Sequence, residues 1–376
     1  MSVVGLVLLT LLLAAVVSFA ITPLVKAFSV KVGAIDVPKD NRRMHHHPIP
    51  RMGGLAIFFG FLLSVLIFFP FVPGGGLNRS LQGMLLGAVM IVILGIFDDI
   101  YALPALPKLL VQIGAALVAV LHGNVIQVLS NPNIFSSDPY WDLGFLSIPI
   151  TVVWIVGITN AVNLIDGLDG LACGVSTISS MTLLVIALVV LEPDVALITA
   201  ALAGGCLGFL PYNLNPAKIF MGDTGSTFLG FILAVVSIQG LFKFYTFISF
   251  AVPFLMLGLP IFDTCFAIIR RLAKGQSPMA PDRGHIHHRL IDMGFSQKQA
   301  VAMLYVISAI LGLSAVVLTT SGVLRAMFFL AALAVAGGVA AMLYLSHNGG
   351  GGKGRGGGAH STGNENFFGE EGRSDK

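Results

Sequence analysis

Charged side chains are scarce in this chain, and their scarcity excludes most classes of protein at once. Asp, Glu, Lys and Arg together make up 10% of the 376 residues, whereas hydrophobic residues make up 56%. Soluble globular domains carry about 25% charged residues. The composition is therefore typical of a polytopic membrane protein surrounded by membrane lipids, and we expect no nucleic-acid partner.

Cysteine is almost absent as well. The three cysteines, Cys173, Cys206 and Cys265, lie singly inside or beside apolar runs. They predict neither a disulfide framework nor a thiolate metal site. The first apolar run, Val3 to Val25, lacks the basic start and the small-residue cleavage site of a signal peptide. We therefore expect it to be an uncleaved membrane span.

The chain is rich in apolar runs of near the ~20 residues that a helix needs to cross a bilayer. Because the backbone must satisfy its hydrogen bonds internally in lipid, each run is expected to be a helix. The predicted fold class is an all-α polytopic membrane protein with about eleven transmembrane helices. The candidate spans are residues 3–25, 53–72, 81–97, 107–122, 147–162, 171–191, 195–210, 225–242, 247–269, 298–319 and 323–345.

Most lysines and arginines fall in alternate loops, and the positive-inside rule then sets the orientation. With the amino terminus outside and the carboxyl terminus cytoplasmic, only Arg79, Lys243 and Arg325 of the 21 basic residues face outward. We predict an integral membrane domain at residues 1–346. Residues 347–376 are Gly-rich and predicted to be a disordered cytoplasmic tail.

This orientation places the polar motifs on the cytoplasmic side, where nucleotides and Mg²⁺ are available. Asp98 and Asp99 end the third span, and Lys108 opens the fourth. Two adjacent carboxylates that repel each other indicate a bound cation or a cationic partner, although they could merely stop the helix.

Among the outside loops, only residues 123–146 are long enough for a small hairpin or an interfacial segment.

A second motif has polar side chains at every third residue: Asn160, Asn163, Asp166 and Asp169. In a helix they would form one slowly drifting stripe. Amide and carboxylate groups can contact a nucleobase edge or help hold a metal. Alternatively, they could hydrogen-bond among themselves between helices.

A third motif surrounds Asp223, which lies between Gly222 and Gly225 at the start of the eighth span. The motif could be simple helix capping. It could also present backbone N–H groups to a phosphate while Asp223 holds a cation. Phe220 could stack on a base or anchor the chain at the membrane interface.

Two loops are rich in histidine and arginine. The first, residues 36–54, carries three consecutive histidines, His45 to His47, and its cations suit a phosphate or an anionic headgroup. The second can donate several hydrogen bonds to an anionic ligand. A zinc site is the alternative interpretation of this second loop. Against it, the histidines have no nearby cysteine and include no helical i, i+4 pair. Its candidate residues are Arg283, His285, His287, His288 and Arg289.

In this order, over residues 33–297, the motifs resemble the polyprenyl-phosphate N-acetylhexosamine-1-phosphate transferase family, glycosyltransferase 4. The first loop is closest to the branch that uses UDP-N-acetylglucosamine. The sequence His285-Ile-His287-His288-Arg289 departs from the uninterrupted triple histidine of the muramoyl-pentapeptide enzymes. That phospho-N-acetylmuramoyl-pentapeptide transferase activity of peptidoglycan synthesis is the alternative within the family.

The resemblance implies transfer of N-acetylglucosamine 1-phosphate, or a related N-acetylhexosamine 1-phosphate, from a UDP-sugar to undecaprenyl phosphate. The products are the undecaprenyl-diphosphate-sugar and UMP, in the first membrane step of a cell-envelope glycan pathway. It also implies Mg²⁺, with Mn²⁺ as an alternative, and a plasma-membrane enzyme whose site faces the cytoplasm. A homodimer is compatible with the resemblance.

The resemblance also assigns roles to residues. Asp98, Asp99 and Asp223 are the expected catalytic residues, and Asp223, Asn163 and Asp98 the expected metal ligands. We favour direct attack with Asp98 as base, while a covalent aspartyl intermediate remains the alternative. The expected substrate-binding residues are Lys108, Asn163, Asp166, Asp169, Phe220, Arg283, His285, His287, His288 and Arg289.

A secondary transporter is the rival from a different class, since transporters also place carboxylates at broken helices. We find no inverted repeat between the halves of the sequence. The acids also cluster at the predicted cytoplasmic ends of spans rather than at their middles. Both observations favour the transferase.

Overall fold

The computed structural model describes most of the chain up to residue 328. The described residues are 2–38, 47–72, 76, 78–130, 140–240, 247–277, 284–320, 325, 327 and 328. The predicted tail, Arg283, His45 and His46 lie outside them, as does most of the predicted span 323–345.

The described chain is built from helices, with two very short hairpins between them. The helices are α1 (Val3–Lys31), α2 (Gly54–Phe68), α3 (Arg79–Tyr101), α4 (Ala105–Leu121), α5 (Ser147–Leu164), α6 (Leu171–Val189), α7 (Pro193–Asn213), α8 (Gly222–Gly240), α9 (Phe247–Met256), α10 (Gly258–Ala273), α11 (Ile286–Asp292) and α12 (Gln297–Thr319). The strands are β1 (Ile35–Asp36), β2 (Ile49–Pro50), β3 (Val128–Ser130) and β4 (Tyr140–Asp142).

The helices confirm an all-α polytopic membrane protein. Seven helical segments of the described chain are long and apolar enough to cross a membrane. Each of the first ten predicted spans coincides with helix, and α1 continues to Lys31, six residues past the predicted boundary. The count of eleven spans and the orientation of the termini stay predictions.

The predicted span 247–269 is divided into two helices. Helix α9 ends at Met256 and α10 begins at Gly258. Pro260 has no N–H and cannot bond the carbonyl four residues earlier, that of Met256. The Ser179 hydroxyl of α6 donates to that carbonyl instead, at 2.8 Å. The Met256 carbonyl is therefore paired despite the break.

Small residues let the helices approach closely. A Cβ at Gly204 or Gly208 of α7 would overlap the backbone of Leu11 or Ala15 in α1. Such small-residue stripes are typical of helix pairs in membranes, where burial of apolar surface gives no driving force.

Helix α8 lies at the centre of the described chain and is buried from Thr224 to Gly240. It packs against α3 and α5. A Cβ at Gly95 of α3 would overlap Thr224, and one at Gly230 would overlap Thr159 of α5. These contacts bring the end of α3, with the aspartate pair, against the first turn of α8.

The two hairpins flank this bundle. Strands β3 and β4 pair antiparallel with Leu129 opposite Trp141, so of the two alternatives for residues 123–146, a small hairpin or an interfacial segment, the structure contains a hairpin. Strands β1 and β2 pair with Ile35 opposite Pro50. The second pair leads the chain from α1 into Gly53 and the start of α2.

Candidate active site

Asp99 caps the start of α8 from a different helix. Its Oδ1 accepts the Asp223 N–H at 3.0 Å, and its Oδ2 accepts the Thr224 N–H at 3.1 Å and the Thr224 hydroxyl at 2.6 Å. The first N–H groups of a helix have no partner within it, and a carboxylate also suits the positive end of the dipole. Gly222 has φ +73°, and a Cβ there would overlap the Asp99 carboxylate.

These contacts make Asp99 a positioning residue for Asp223. It is only 2% exposed, and both of its oxygens are engaged by α8. Its predicted catalytic role therefore stays a prediction, and the hydrogen bonds favour a structural task.

Asp98 faces the other way, toward α4. Its Oδ1 accepts the Leu103 N–H at 2.7 Å, which fixes the turn after α3. Its Oδ2 accepts the Lys108 ammonium at 2.8 Å. The same Lys108 nitrogen lies 3.5 Å from Oδ2 of Asp223. Lys108 therefore bridges the two carboxylates, which would otherwise repel each other.

Asp223 is the most accessible of the three carboxylates, with 35% of its side chain exposed against 5% for Asp98. The Asn163 amide donates to its Oδ1 at 2.9 Å and to the Ser226 hydroxyl at 2.8 Å. Asn163 thus ties the end of α5 to the first turn of α8. We call Asp98, Asp99, Lys108, Asn163 and Asp223 the aspartate cluster.

The two acids of the loop between α5 and α6 have different surroundings. Asp169 Oδ2 accepts the Asn215 amide at 2.9 Å and the Ala217 N–H at 3.0 Å, so it holds the loop after α7. Burial raises the pKa of Asp166 to about 8, and the carboxylates of Asp223, Asp99 and Asp169 add to the effect. Substrate binding by Asp166 and by Asp169 stays a prediction.

The first loop and the third motif form one unit. The Phe220 N–H donates to the Pro50 carbonyl at 2.8 Å, and the Gly53 N–H donates to the Phe220 carbonyl at 2.9 Å. The Gly54 N–H donates to the Met221 carbonyl at 2.9 Å. Phe220 is therefore fixed by its backbone three residues before Asp223, with its ring half-buried.

The histidines of the last loop lie on and beside the short helix α11. The His285 Nδ1 donates to Oδ2 of Asp263 at 2.8 Å, and the Ile286 N–H donates to Oδ1 at 2.8 Å. The His285 and His287 rings stack with centroids 5.8 Å apart and planes 10° apart. The centroid of the His288 ring lies 4.3 Å from the centroid of the His287 ring.

We call His285, His287 and His288 the histidine row. His287 lies against Gly167, where a Cβ would overlap its Nε2, so the row meets the loop that carries Asp166. Burial lowers the pKa of His287 to about 4, and the neighbouring His288 adds to the effect. His287 is therefore neutral at pH 7.

The structure separates buried from accessible members of this motif. His285 and His287 are buried, His288 is half-buried and Arg289 is exposed. Direct donor contacts by His285 and His287 stay predictions, while Arg289 and His288 are the members that a ligand can reach. Arg283 lies outside the described residues.

An apolar cavity of about 590 Å³ opens between α5, α9 and α10. Its lining is almost free of polar atoms. Lining residues include Ile150, Val153, Trp154, Phe254, Ile261 and Cys265.

The model of glycosyl transferase family 4 matches residues 81–241. A Bacillus subtilis (strain 168) protein named as a probable undecaprenyl-phosphate N-acetylglucosaminyl 1-phosphate transferase is 42% identical over 310 residues, 82% of this chain and 84% of the relative. This chain belongs to glycosyl transferase family 4.

Two more distant relatives in the family have similar names. A Mycolicibacterium smegmatis decaprenyl-phosphate N-acetylglucosaminephosphotransferase is 35% identical over 78% of this chain and 77% of its own length. A Thermotoga maritima undecaprenyl-phosphate alpha-N-acetylglucosaminyl 1-phosphate transferase is 34% identical over 73% of this chain and 78% of its own length. The family match runs from the first turn of α3 to the end of α8, and so contains the whole aspartate cluster.

Sequence reasoning missed Asp263, which anchors the histidine row. A signal was present, because Asp263 is the one acid in the predicted span 247–269, and acids within spans are functional candidates. The capping contact between Asp99 and Thr224 had no such signal, since it joins residues 125 positions apart.

Proposed function

We propose that this chain transfers N-acetylglucosamine 1-phosphate from UDP-N-acetylglucosamine to undecaprenyl phosphate, giving undecaprenyl-diphosphate-N-acetylglucosamine and UMP. One observation carries the proposal: α3, α4, α5 and α8 bring Asp98, Lys108, Asn163 and Asp223 to one place. Membership of glycosyl transferase family 4 and the names of the relatives support it.

The reaction joins two anions. An oxygen of the lipid phosphate attacks the sugar-linked phosphorus of the donor, and the bond from that phosphorus to the UMP oxygen breaks. Because both partners are negative, the barrier falls mainly through charge neutralisation and positioning. Lys108 can supply positive charge where Asp98 and Asp223 meet, and Arg289 can supply it to the donor diphosphate.

A divalent metal fits the residues present. Mg²⁺ prefers oxygen ligands and usually takes one or two carboxylates together with substrate phosphates and waters. Asp223, Asp98 and the Asn163 amide oxygen are such donors, although the described residues hold no ready group of three His, Cys, Asp or Glu ligands. When bound, the ion would neutralise the diphosphate and stabilise the leaving UMP.

The acceptor needs little help from a base. A phosphomonoester has a second pKa near 6, so much of the lipid phosphate is already a dianion at pH 7. General-base catalysis by Asp98 would add about 10²- to 10⁴-fold. We expect the isoprenoid chain to lie along the apolar cavity beside α10, whose lining is apolar.

The donor is expected on the side of the aspartate cluster formed by Phe220, Asp166 and the histidine row. The backbone of Phe220 is fixed at both its N–H and its carbonyl, which suits a ring that stacks on uracil. The site would face the cytoplasm, where UDP-sugars are made, in the plasma membrane.

A donor panel tests the proposal. The purified protein would receive undecaprenyl phosphate and Mg²⁺ with UDP-N-acetylglucosamine, its galacto epimer, a 6-deoxy analogue or the UDP-muramoyl pentapeptide. We expect the highest kcat/KM for UDP-N-acetylglucosamine. Faster turnover of the muramoyl pentapeptide would assign the chain to peptidoglycan synthesis. Solute uptake by proteoliposomes without UMP release would support a transporter.

A further inference from the structure

Asp263 is a buried acid in the middle of an apolar helix. Only 3% of its surface is exposed, and both carboxylate oxygens accept hydrogen bonds from the start of α11, each at 2.8 Å. One donor is the ring of His285 and the other is the Ile286 backbone. Both contacts connect α10 to the chain segment that follows residues 278–283.

Helix α10 presents two different faces. Asp263, Ala267 and Arg271 are spaced four residues apart, so they share one face, and all three are buried. Ile261 and Cys265 line the apolar cavity on another side. One helix therefore carries both the wall of the cavity and the anchor of the histidine row.

Packing alone does not explain a carboxylate at this position. Burying a charge costs several kcal/mol before its partners compensate, and an apolar side chain would fill the space without that cost. A neutral acceptor would also satisfy the Ile286 N–H. What the carboxylate adds is the bond to His285: a carboxylate only accepts, so a proton must lie on Nδ1.

The effect of fixing His285 extends along the row. Its ring lies nearly parallel to that of His287, with centroids 5.8 Å apart. His287 in turn abuts Gly167, four residues from Asn163, which donates to Asp223. A shift of His285 would therefore be transmitted to the loop that follows α5, the helix that carries Asn163 of the aspartate cluster.

We propose that Asp263 is a positioning residue, which fixes the tautomer of His285 and the start of α11 and so keeps the histidine row on Gly167 beside the donor. The proposal rests on the proposed transferase function. Asp263 would act through His285 and not by direct contact with either substrate.

Steady-state kinetics with donor and lipid varied separately provide the first test. Asp263→Asn should lower kcat/KM for the UDP-sugar by about 10- to 100-fold, the loss seen at metal sites when the group that orients a histidine is removed. The KM for the lipid should not change. Asp263→Glu should recover part of the loss. Phe266→Leu, on the exposed side of α10, is the matched control and should behave as the wild type.

A double-mutant cycle tests the route through His285. If Asp263 acts through His285, Asp263→Asn combined with His285→Ala should be no worse than His285→Ala alone, because the amide oxygen can still accept the Ile286 N–H. Multiplicative losses, or wild-type kinetics for Asp263→Asn, would overturn the proposal.

A readout independent of transfer separates this proposal from the proposed function. In protein labelled with ¹⁵N-histidine, the His285 signal, assigned by its loss in His285→Ala, should show a protonated Nδ1. That pattern should disappear in Asp263→Asn and persist in Asp263→Glu. An unprotonated Nδ1 in the wild type would refute the proposal even if Asp263→Asn fails to fold. If the wild type transfers no sugar phosphate yet shows the Nδ1 proton, the proposed function fails and the hydrogen-bond assignment stands.

Discussion

The aspartate cluster and the histidine row are fixed in place by different means. The cluster is built into four long helices, and its backbone donors and close glycine contacts leave little freedom. The row lies on and beside a helix of seven residues, and one carboxylate, that of Asp263, fixes its first turn. The cluster is therefore suited to precise charge stabilisation, and the row to contacts that form around a donor.

The comparison also separates two neighbours within the cluster. Asp98 bonds to the Lys108 ammonium, whereas Asp99 bonds to three donors of α8. Adjacent residues on a helix point about 100° apart, so the two carboxylates can serve different elements. Loss of Asp98 should thus impair chemistry, and loss of Asp99 should impair structure first.

The largest effect is expected at Asp223, the accessible carboxylate of the cluster. Asp223→Asn removes the charge while keeping the side-chain shape, and we expect kcat to fall by about 10³-fold, as when a main electrostatic group is lost. Steady-state UMP release measures it. Asp142→Asn, at an exposed position in β4, is the control. Near-normal turnover by folded Asp223→Asn would remove Asp223 from the chemistry.

Asp98→Asn should be the next most harmful. It breaks the ion pair with Lys108 and removes the proposed base, so kcat should fall by about 10²-fold or more. The KM for the UDP-sugar should change little, because a group that acts only in the transition state alters kcat. A rise in donor KM alone would show that Asp98 serves donor binding.

Asp99→Asn should act mainly on stability. The amide keeps one acceptor oxygen for three donors of α8, and a buried donor left without a partner costs about 1–3 kcal/mol. Thermal unfolding in detergent should show a lower midpoint for Asp99→Asn than for Asp98→Asn. If the two variants unfolded at the same temperature and only Asp99→Asn lost activity, the result would favour a catalytic role for Asp99.

The buried neutral state of His287 predicts a pH dependence. Its pKa is about 4 in the folded protein and about 6.5 in an unfolded chain. Between these values the unfolded chain binds more protons, so stability falls as pH is lowered, by about 2 kcal/mol at pH 5. Unfolding midpoints at pH 7 and pH 5 should differ less in His287→Asn than in the wild type. His122→Asn is the control, and an unchanged pH difference in His287→Asn would contradict the prediction.

The smallest effect is expected at the exposed end of the histidine motif. Arg289→Gln removes a charge that can reach the donor diphosphate, and the donor KM should rise by about tenfold, within the 1–3 kcal/mol typical of a charged hydrogen bond. Lys298→Gln, also exposed, controls for general loss of positive charge. Unchanged donor KM in Arg289→Gln would place Arg289 outside the donor site.

Much of the fold follows from the sequence because span length is a local property. The first ten predicted spans coincide with helix. The break between α9 and α10 was not predicted, because the length of an apolar run gives no information on the backbone N–H that Pro260 lacks. The residue types of the site also followed from local motifs. Their partners did not: Asp99 with Thr224, Asp169 with Asn215 and Asp263 with His285 are contacts between distant residues.

The most direct test of the central claim is UMP release by the purified protein in detergent, with UDP-N-acetylglucosamine, undecaprenyl phosphate and Mg²⁺. We predict one UMP for each lipid-linked N-acetylglucosamine phosphate formed, none when either the lipid phosphate or Mg²⁺ is omitted, and almost none with Asp223→Asn. UMP release without the lipid, or equal turnover by Asp223→Asn, would contradict transfer at the aspartate cluster.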